Sequence, residues 1–223
     1  MWTIYQHHKG MHYLALGNAL HSENMEPHTI YLALYDNPRG GLWARPCGMF
    51  FDNGGPRGSK RFIEIARLRP LALNEASSVL PFGYDAWGEG RTLEDFVKSY
   101  EANKNHLRGQ RYVLEDLEGQ KLSTVNTLRF HPELTGLAWL ATDPEKRKNG
   151  HAALLIQAVM ALLRHEEKDM GFVLHSEIGI RFYEKFGFVK APVENQNFEK
   201  SIAMLAGNEE LFDKHAAVFS EFF

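Results

Sequence analysis

Two runs in this 223-residue chain hold residue types that could do chemistry. The first, Leu140 to Ala152 (LATDPEKRKNGHA), leaves an apolar stretch through a turn and passes directly into a second apolar segment. Arg147-x-x-Gly150-x-Ala152 stands at that junction. If the second segment is a helix, its first backbone N–H groups have no intrahelical partner, and with the positive end of the helix dipole they form a cradle for an anion. Gly150 and Ala152 are small enough to let a phosphate approach the backbone, and Arg147 and Lys148 add charge suited to a diphosphate. The spacing is neither G-x-x-x-x-G-K-[ST] nor G-x-G-x-x-G. Taken alone, the run also reads as a glycine relieving a tight strand-to-helix turn beside solvated cations, so a second signal has to decide. That signal is Leu174 to Phe188 (LHSEIGIRFYEKFGF), in which Tyr183 is either a core ring or a phenol that stays protonated at neutral pH and can donate its proton.

The elements that must position these runs follow from periodicity. Arg111 to Glu115, Lys121 to Phe130 and Leu137 to Thr142 read as a three-strand meander, the first two joined through Leu117-Glu-Gly-Gln. Ala152 to Leu163 is apolar almost all round and unbroken by Gly or Pro, which predicts a helix buried on several sides. Gly171 to Leu174 reads as a core strand, Ile180 to Lys185 as a short helix, and strands are expected from Phe188 and over Ser201 to Leu205. Upstream, Thr92 caps a helix with Leu93, Phe96, Val97 and Tyr100 on one face. Asp52 to Lys60, rich in glycine, reads as a linker. Before it, Tyr13 to Leu16, Thr29 to Tyr35, Leu42 to Ala44 and Met49 to Phe51 read as short strands, with a turn over Asn37 to Gly41.

Composition bounds the classes that remain. Hydrophobic residues at 44% and charged residues at 24% are ordinary for a globular chain and exclude collagen-like, coiled-coil and wholly disordered sequences. A net charge of -3 argues against bulk electrostatic binding to nucleic acid, so nucleic acid is not expected as a partner. No apolar run is long enough to span a bilayer and the start lacks a secretory pattern, so a cytoplasmic protein without a membrane partner is expected. The single cysteine, Cys47, cannot make an internal disulfide and is expected to be a small buried hydrophobe. His7, His8, His12, His21 and His28 invite a metal reading, but Gly10 argues against the helix that the spacing of His8 and His12 would need, and no metal is expected. Tyr5, Tyr31, Tyr35, Trp43 and Arg45 read as barrel core rather than as a surface for an anionic ligand.

The two chemical runs together resemble the GNAT N-acetyltransferases. LATDPEKRKNGHA is similar to their pyrophosphate loop R/Q-x-x-G-x-G/A, and IRFYEKFGF to their A-I-x-F-Y-x-K-x-G-F block. The resemblance covers about residues 61 to 207, with Phe62 to Leu71 as its first strand and helices around 73 to 103 after it. It departs from the family at Lys148, where glycine is usual, at Ala152, where glycine alternates with alanine, and at Ser176, where asparagine is common. Residues 5 to 50 resemble a small bacterial domain family of unknown function, through Tyr5-x-His-x-Lys-Gly10, His21-Ser-Glu23, Leu34-Tyr35 and Trp43-x-Arg-Pro-x-x-Met-Phe50.

The resemblance implies an α+β fold: a GNAT-like mixed, mostly antiparallel sheet flanked by helices, preceded by a small all-β domain of SH3-like or curled-sheet type. The expected division is 1–52 for the small domain, 53–60 for the linker and 61–223 for the acetyltransferase-like domain. It further implies acetyl-CoA as co-substrate, in a wedge where strands 137–142 and 171–175 splay apart at a β-bulge. Leu140, Ala141 and Thr142 would pair with the pantetheine arm, Arg147, Lys148, Asn149, Gly150, His151 and Ala152 would cradle the pyrophosphate, and Ser176 would line the cofactor site. Tyr183 would protonate the departing thiolate. The general base stays open among His175, Glu177, Asp143 and water. The implied acceptor is a primary amine on a small molecule or protein; a homodimer is a possible assembly, and the sequence leaves the oligomeric state open. The alternative is a non-catalytic acyl-CoA-binding or protein-interaction module on a degenerate GNAT fold.

Overall fold

In the computed structural model, which describes residues 1–37, 40–207 and 209–220, eleven strands and seven α-helices follow in chain order. The strands are β1 (Trp2–His7), β2 (His12–Leu20), β3 (Pro27–Ala33), β4 (Leu42–Pro46), β5 (Phe62–Pro70), β6 (Gln110–Glu115), β7 (Lys121–His131), β8 (Leu134–Thr142), β9 (Gly171–Ser176), β10 (Val189–Lys190) and β11 (Ile202–Ala206). The helices are α1 (Cys47–Phe50), α2 (Tyr84–Trp87), α3 (Leu93–Glu101), α4 (Lys104–Arg108), α5 (His151–Glu166), α6 (Arg181–Glu184) and α7 (Glu209–Lys214). Pro38 and Arg39 of the expected turn lie outside the described residues.

Two compact units form. The first comprises Met1–Pro70, Tyr112–Ser123 and Thr142–His165; the second comprises Leu71–Arg111, Thr124–Ala141 and Glu166–Phe223. Within the first, the strands lie in the order β6-β5-β1-β2-β3-β4 and every pairing is antiparallel. Its N-terminal core is aromatic: Tyr13, Tyr31, Ala33, Phe50 and Phe62 are buried together, with Tyr5, Met11 and Trp43 packed against them. Phe50 and Phe62 stack at 4.2 Å and Tyr31 is 4% exposed, so Tyr31 is core as expected. Tyr5 and Trp43 are partly buried against it, whereas Tyr35, expected in the core, is exposed at the rim. Helix α5 buries Leu155, Ile156, Ala158, Val159, Met160, Leu162 and Leu163, the many-sided burial its composition requires. Within the second unit the order is β10-β11-β9-β8-β7. Its core gathers Leu128, Leu134 and Val173 with Ala203, Leu205 and Phe212.

Several local expectations need correction. Met49 to Phe51 is not a strand: Phe51 N–H donates to Cys47 O, closing one helical turn that drops Phe50 onto Phe62. A run that short, between Pro46 and the glycines at 54 and 55, has no room to register against a neighbour. Strand β1 is an addition, and Ile4 is its fully buried residue. The helices around 73 to 103 are fragments, because Pro81, Gly83, Gly88 and Gly90 interrupt them. Cys47 is half-buried, its sulfur 3.4 Å from the Thr29 hydroxyl. The segment 53–60 is a closed loop, since Arg61 N–H donates to Asp52 O and the Arg61 guanidinium pairs with the Asp52 carboxylate at 3.0 Å.

Sensitivity to acid follows from one buried and several half-buried imidazoles. Burial first, then His8 and Lys9, push His7 down to about 4, and burial with Arg111 does the same to His106; burial also lowers His12 and His151. Above pH 6.5 these rings are neutral in both folded and unfolded chains, whereas between 6.5 and 4 the unfolded chain takes up protons that the folded chain refuses. The melting temperature is therefore expected to be flat from pH 8 to 7 and to fall as pH drops from 6.5 toward 4. His106→Asn, which cannot titrate, should flatten that slope in calorimetric melts; an unchanged slope removes His106 from the account.

Candidate functional site

Each unit carries its own set of candidate residues. In the first, β8 ends at Thr142, and Asp143 caps a 3₁₀ turn over Pro144–Lys146 by accepting from Glu145 N–H at 3.1 Å. The Asp143 carboxylate thus closes its own turn. Arg147 Nε donates to Thr142 O at 3.2 Å, and Thr142 Oγ1 meets Ser123 Oγ at 3.0 Å, which ties the loop back to its strand. Lys148 and Gly150 then take left-handed conformations, with φ of 65° and 81°. Gly150 O accepts from Leu154 N–H, so Gly150 is the cap and the N–H groups of His151, Ala152 and Ala153 face outward from the first turn of α5. No acidic residue occupies that turn, and a Cβ placed on Gly150 would meet no atom within 4 Å. The loop is therefore open above its glycine and has donors to offer, as a diphosphate requires.

Beside this loop is a cleft of about 220 Å³ that mixes distant parts of the sequence: His12 of β2, Ile65 and Ala66 of β5 and Leu122 of β7 face Asn149, Gly150, His151 and Leu154. The N-terminal module thus contributes to the surroundings of the loop, which spacing along the chain could not reveal.

The candidate residues of the second unit begin where β8 and β9 part. They pair in parallel at Leu134↔Gly171, Thr135↔Phe172 and Gly136↔Val173, and the register ends there. Three residues on, Trp139 has φ 48°, a left-handed backbone that a bulky side chain adopts only at a cost of roughly 1–3 kcal/mol. Leu140 and Ala141 follow this irregularity on the strand that leads to the loop. On β9, His175 is half-buried with its ring edge-on to Phe198, and Ser176 is buried with its hydroxyl donating to Gly179 O at 2.7 Å. That bond closes the turn between β9 and α6. Tyr183 on α6 is 8% exposed, with Phe182 and Phe188 at edge-on distances of 4.9 and 5.9 Å. Burial first, and the Glu177 carboxylate second, push its phenol up to about 12. Glu177 is in turn held by Trp87, whose indole N–H donates to Oε2 at 2.7 Å.

Arg111, Tyr100 and Trp139 belong to the same unit and were missed in the motif reading, where Arg111 only opens a strand. Arg111 Cζ lies 5.7 Å from the Trp139 ring and Tyr100 packs edge-on to that ring at 5.3 Å. Among the described residues, no group of three or more His, Cys, Asp or Glu side chains is arranged to hold a metal ion, and no helix is long and apolar enough to cross a membrane.

Two segments of the chain are similar to known domain families. Residues 108–190 match the acetyltransferase (GNAT) domain family, and residues 3–63 match DUF1653, a domain family of unknown function. The segment 108–190 is thus similar to GNAT acetyltransferase domains and the segment 3–63 to DUF1653, and the chain has the expected mixed, mostly antiparallel α+β architecture. The uncharacterized protein YkzC of Bacillus subtilis is 27% identical over 120 residues, which is 52% of this chain and 80% of YkzC. Among solved structures, PaiA N-acetyltransferase from Thermoplasma acidophilum, in complex with coenzyme A, has a TM-score of 0.50 at 12% identity, over 64% of this chain and 99% of that one. The ribosomal-protein-S18-alanine N-acetyltransferase from Escherichia coli also has a TM-score of 0.50, at 16% identity, over 64% of this chain and 93% of its own. At such identities the likeness is one of fold.

Proposed function

We propose that this chain is an acyl-CoA-dependent N-acetyltransferase that moves an acetyl group from acetyl-CoA to a primary amine by direct attack on the thioester. The observation that carries this reading is the pair of left-handed residues, Lys148 and Gly150, immediately before α5 and inside the segment that matches the GNAT domain. Such a loop presents successive N–H groups to a diphosphate, and the coenzyme A held by the PaiA structure supports that use of the fold. Bound acetyl-CoA supplies the activated acyl group.

The chain's residues do the rest. Arg147 to Ala152 hold the pyrophosphate through backbone and charge, and Leu140, Ala141 and Thr142 offer the pantetheine arm the backbone groups of a strand freed from β9. Ser176 fixes the turn that carries α6, its hydroxyl being committed to Gly179. Glu177 is the carboxylate within electrostatic reach of Tyr183, and it takes the proton the ammonium must lose, directly or through water. As the new C–N bond forms and the C–S bond breaks, Tyr183 gives its proton to the leaving sulfur, and the proton that the acylated nitrogen sheds returns to the phenol through water.

Gly150→Val tests the loop. Both Gly150→Ala and Gly150→Val bear the left-handed penalty of about 1–2 kcal/mol, but only the branched side chain fills the space above the backbone. Calorimetry should show acetyl-CoA affinity falling by at least about 10-fold in the valine variant and less in the alanine one, both remaining folded. Unchanged affinity in a folded Gly150→Val protein refutes the assignment.

A further inference from the structure

We propose that Arg111, with His106, Thr124 and Trp139 around it, is the anion-binding end of an acceptor subsite, so that the amine acetylated by this chain also carries a carboxylate. The inference rests on the acetyltransferase reading above and names its substrate class.

Arg111 is the second residue of β6 and is 4% exposed. A guanidinium so far from water ordinarily ends on a carboxylate, as Arg69 does on Glu115 at 2.7 and 3.0 Å. Among the described residues no carboxylate pairs with Arg111. One terminal nitrogen donates to His106 Nδ1 at 3.2 Å, the other to Thr124 Oγ1 at 3.4 Å, and the buried Nε–H has no partner. Both partners are neutral acceptors. His106 is 2% exposed and held down to about 4 by burial and by Arg111 itself, so it adds no second charge and removes none. Burial lowers the Arg111 guanidinium to about 10, which still leaves it protonated at neutral pH. The result is one buried positive charge with an unused donor, lying over an indole. On the same face of β7 as Thr124, Asn126 Oδ1 is likewise buried without a donor, so the interior here is polar and incompletely satisfied.

The chemistry that completes such a group is a planar anion that accepts from Nε–H and a terminal N–H together, and a carboxylate does this with two parallel bonds. The other end of the ligand is set by Trp139. Arg111 lies over its ring at 5.7 Å, and Leu140, the next residue of the strand, opens the stretch beyond the last β8–β9 pair that is proposed to hold the cofactor. An amine directed to the thioester there, joined to a carboxylate directed to Arg111, is an amino acid.

The test uses the full chain and matched pairs that differ only in the carboxylate: L-lysine and cadaverine, L-ornithine and putrescine, β-alanine and ethylamine. Thiol release from acetyl-CoA should give a KM about 10- to 100-fold lower for the carboxylated member of at least one pair. Arg111→Met should bring the KM values of the two members of each pair together, whatever its effect on turnover, and Arg111→Lys should restore part of the difference. Binding of the amino acids without cofactor, followed by tryptophan fluorescence, reads the subsite alone. Equal KM values within every wild-type pair, no binding of any amino acid, or an undiminished preference in a folded Arg111→Met protein each overturn the proposal. Failure of the unaltered chain to bind acetyl-CoA in calorimetry would instead strike the acetyltransferase reading.

Discussion

Replacing Tyr183 with phenylalanine is expected to lower turnover by roughly 10- to 1,000-fold while leaving acetyl-CoA affinity nearly unchanged. The ring is buried against Phe182 and Phe188, and those contacts survive the substitution, so the variant should fold. What disappears is a hydroxyl whose proton is held more tightly than a phenol's usual pKa of 10, through burial and the nearby Glu177 carboxylate. The pH dependence has a definite sign. An acid pushed up to about 12 keeps its proton across the whole working range, so kcat/KM should rise with pH as the acceptor ammonium deprotonates, and should show no alkaline decline below pH 10. An ordinary phenol would cause a decline centred near 10. Stopped-flow measurement of thiol release by the wild type and the Phe variant between pH 6 and 10.5 checks both points. Full turnover in Tyr183→Phe would make the residue a core ring and nothing more.

What the sequence made legible follows the range of the interactions involved. Helix α5 and the meander β6 to β8 were readable because their apolar periodicity is local and each is long enough to fix its own pattern. The loop at 147–152 was readable because a short motif carries its chemistry in consecutive residues. The left-handed backbone of Trp139 was not, since nothing in a tryptophan announces positive φ; it is held by packing against Arg111 and Tyr100, far away in sequence. The same applies to Glu177, which looks like a solvated loop charge until Trp87 is found donating to it. Strand β1 escaped because its alternation is carried by one buried residue, Ile4, with polar and half-buried neighbours. The helix at 47–50 escaped because a four-residue segment has no period to read.

Deleting residues 1–60 should cost the remaining chain several kcal/mol of stability. The cut falls where glycine and proline cluster, and 61–223 holds every residue assigned here to catalysis and cofactor binding. Yet β5, which begins at Phe62, is paired along its length with β1, from Trp2↔Leu68 to His7↔Phe62. Removing β1 converts β5 into an edge that loses one whole ladder, at about 0.5–1.5 kcal/mol for each hydrogen bond. Phe62 loses Phe50, stacked on it at 4.2 Å, and exposing a buried phenylalanine costs roughly 1.5–3 kcal/mol. His12 also leaves the cleft it lines with Gly150 and His151, which opens the side of the loop to water. The expected result is a fragment that melts at least about 10 °C below the full chain. If it remains folded, it should gain less stability from acetyl-CoA than the full chain does, because part of the loop's support is gone. Thermal melts of both proteins with and without the cofactor make the comparison. A fragment with the full chain's melting temperature and the full chain's cofactor-induced shift would show that the first domain lends neither strand nor support to the second, and that its work lies elsewhere.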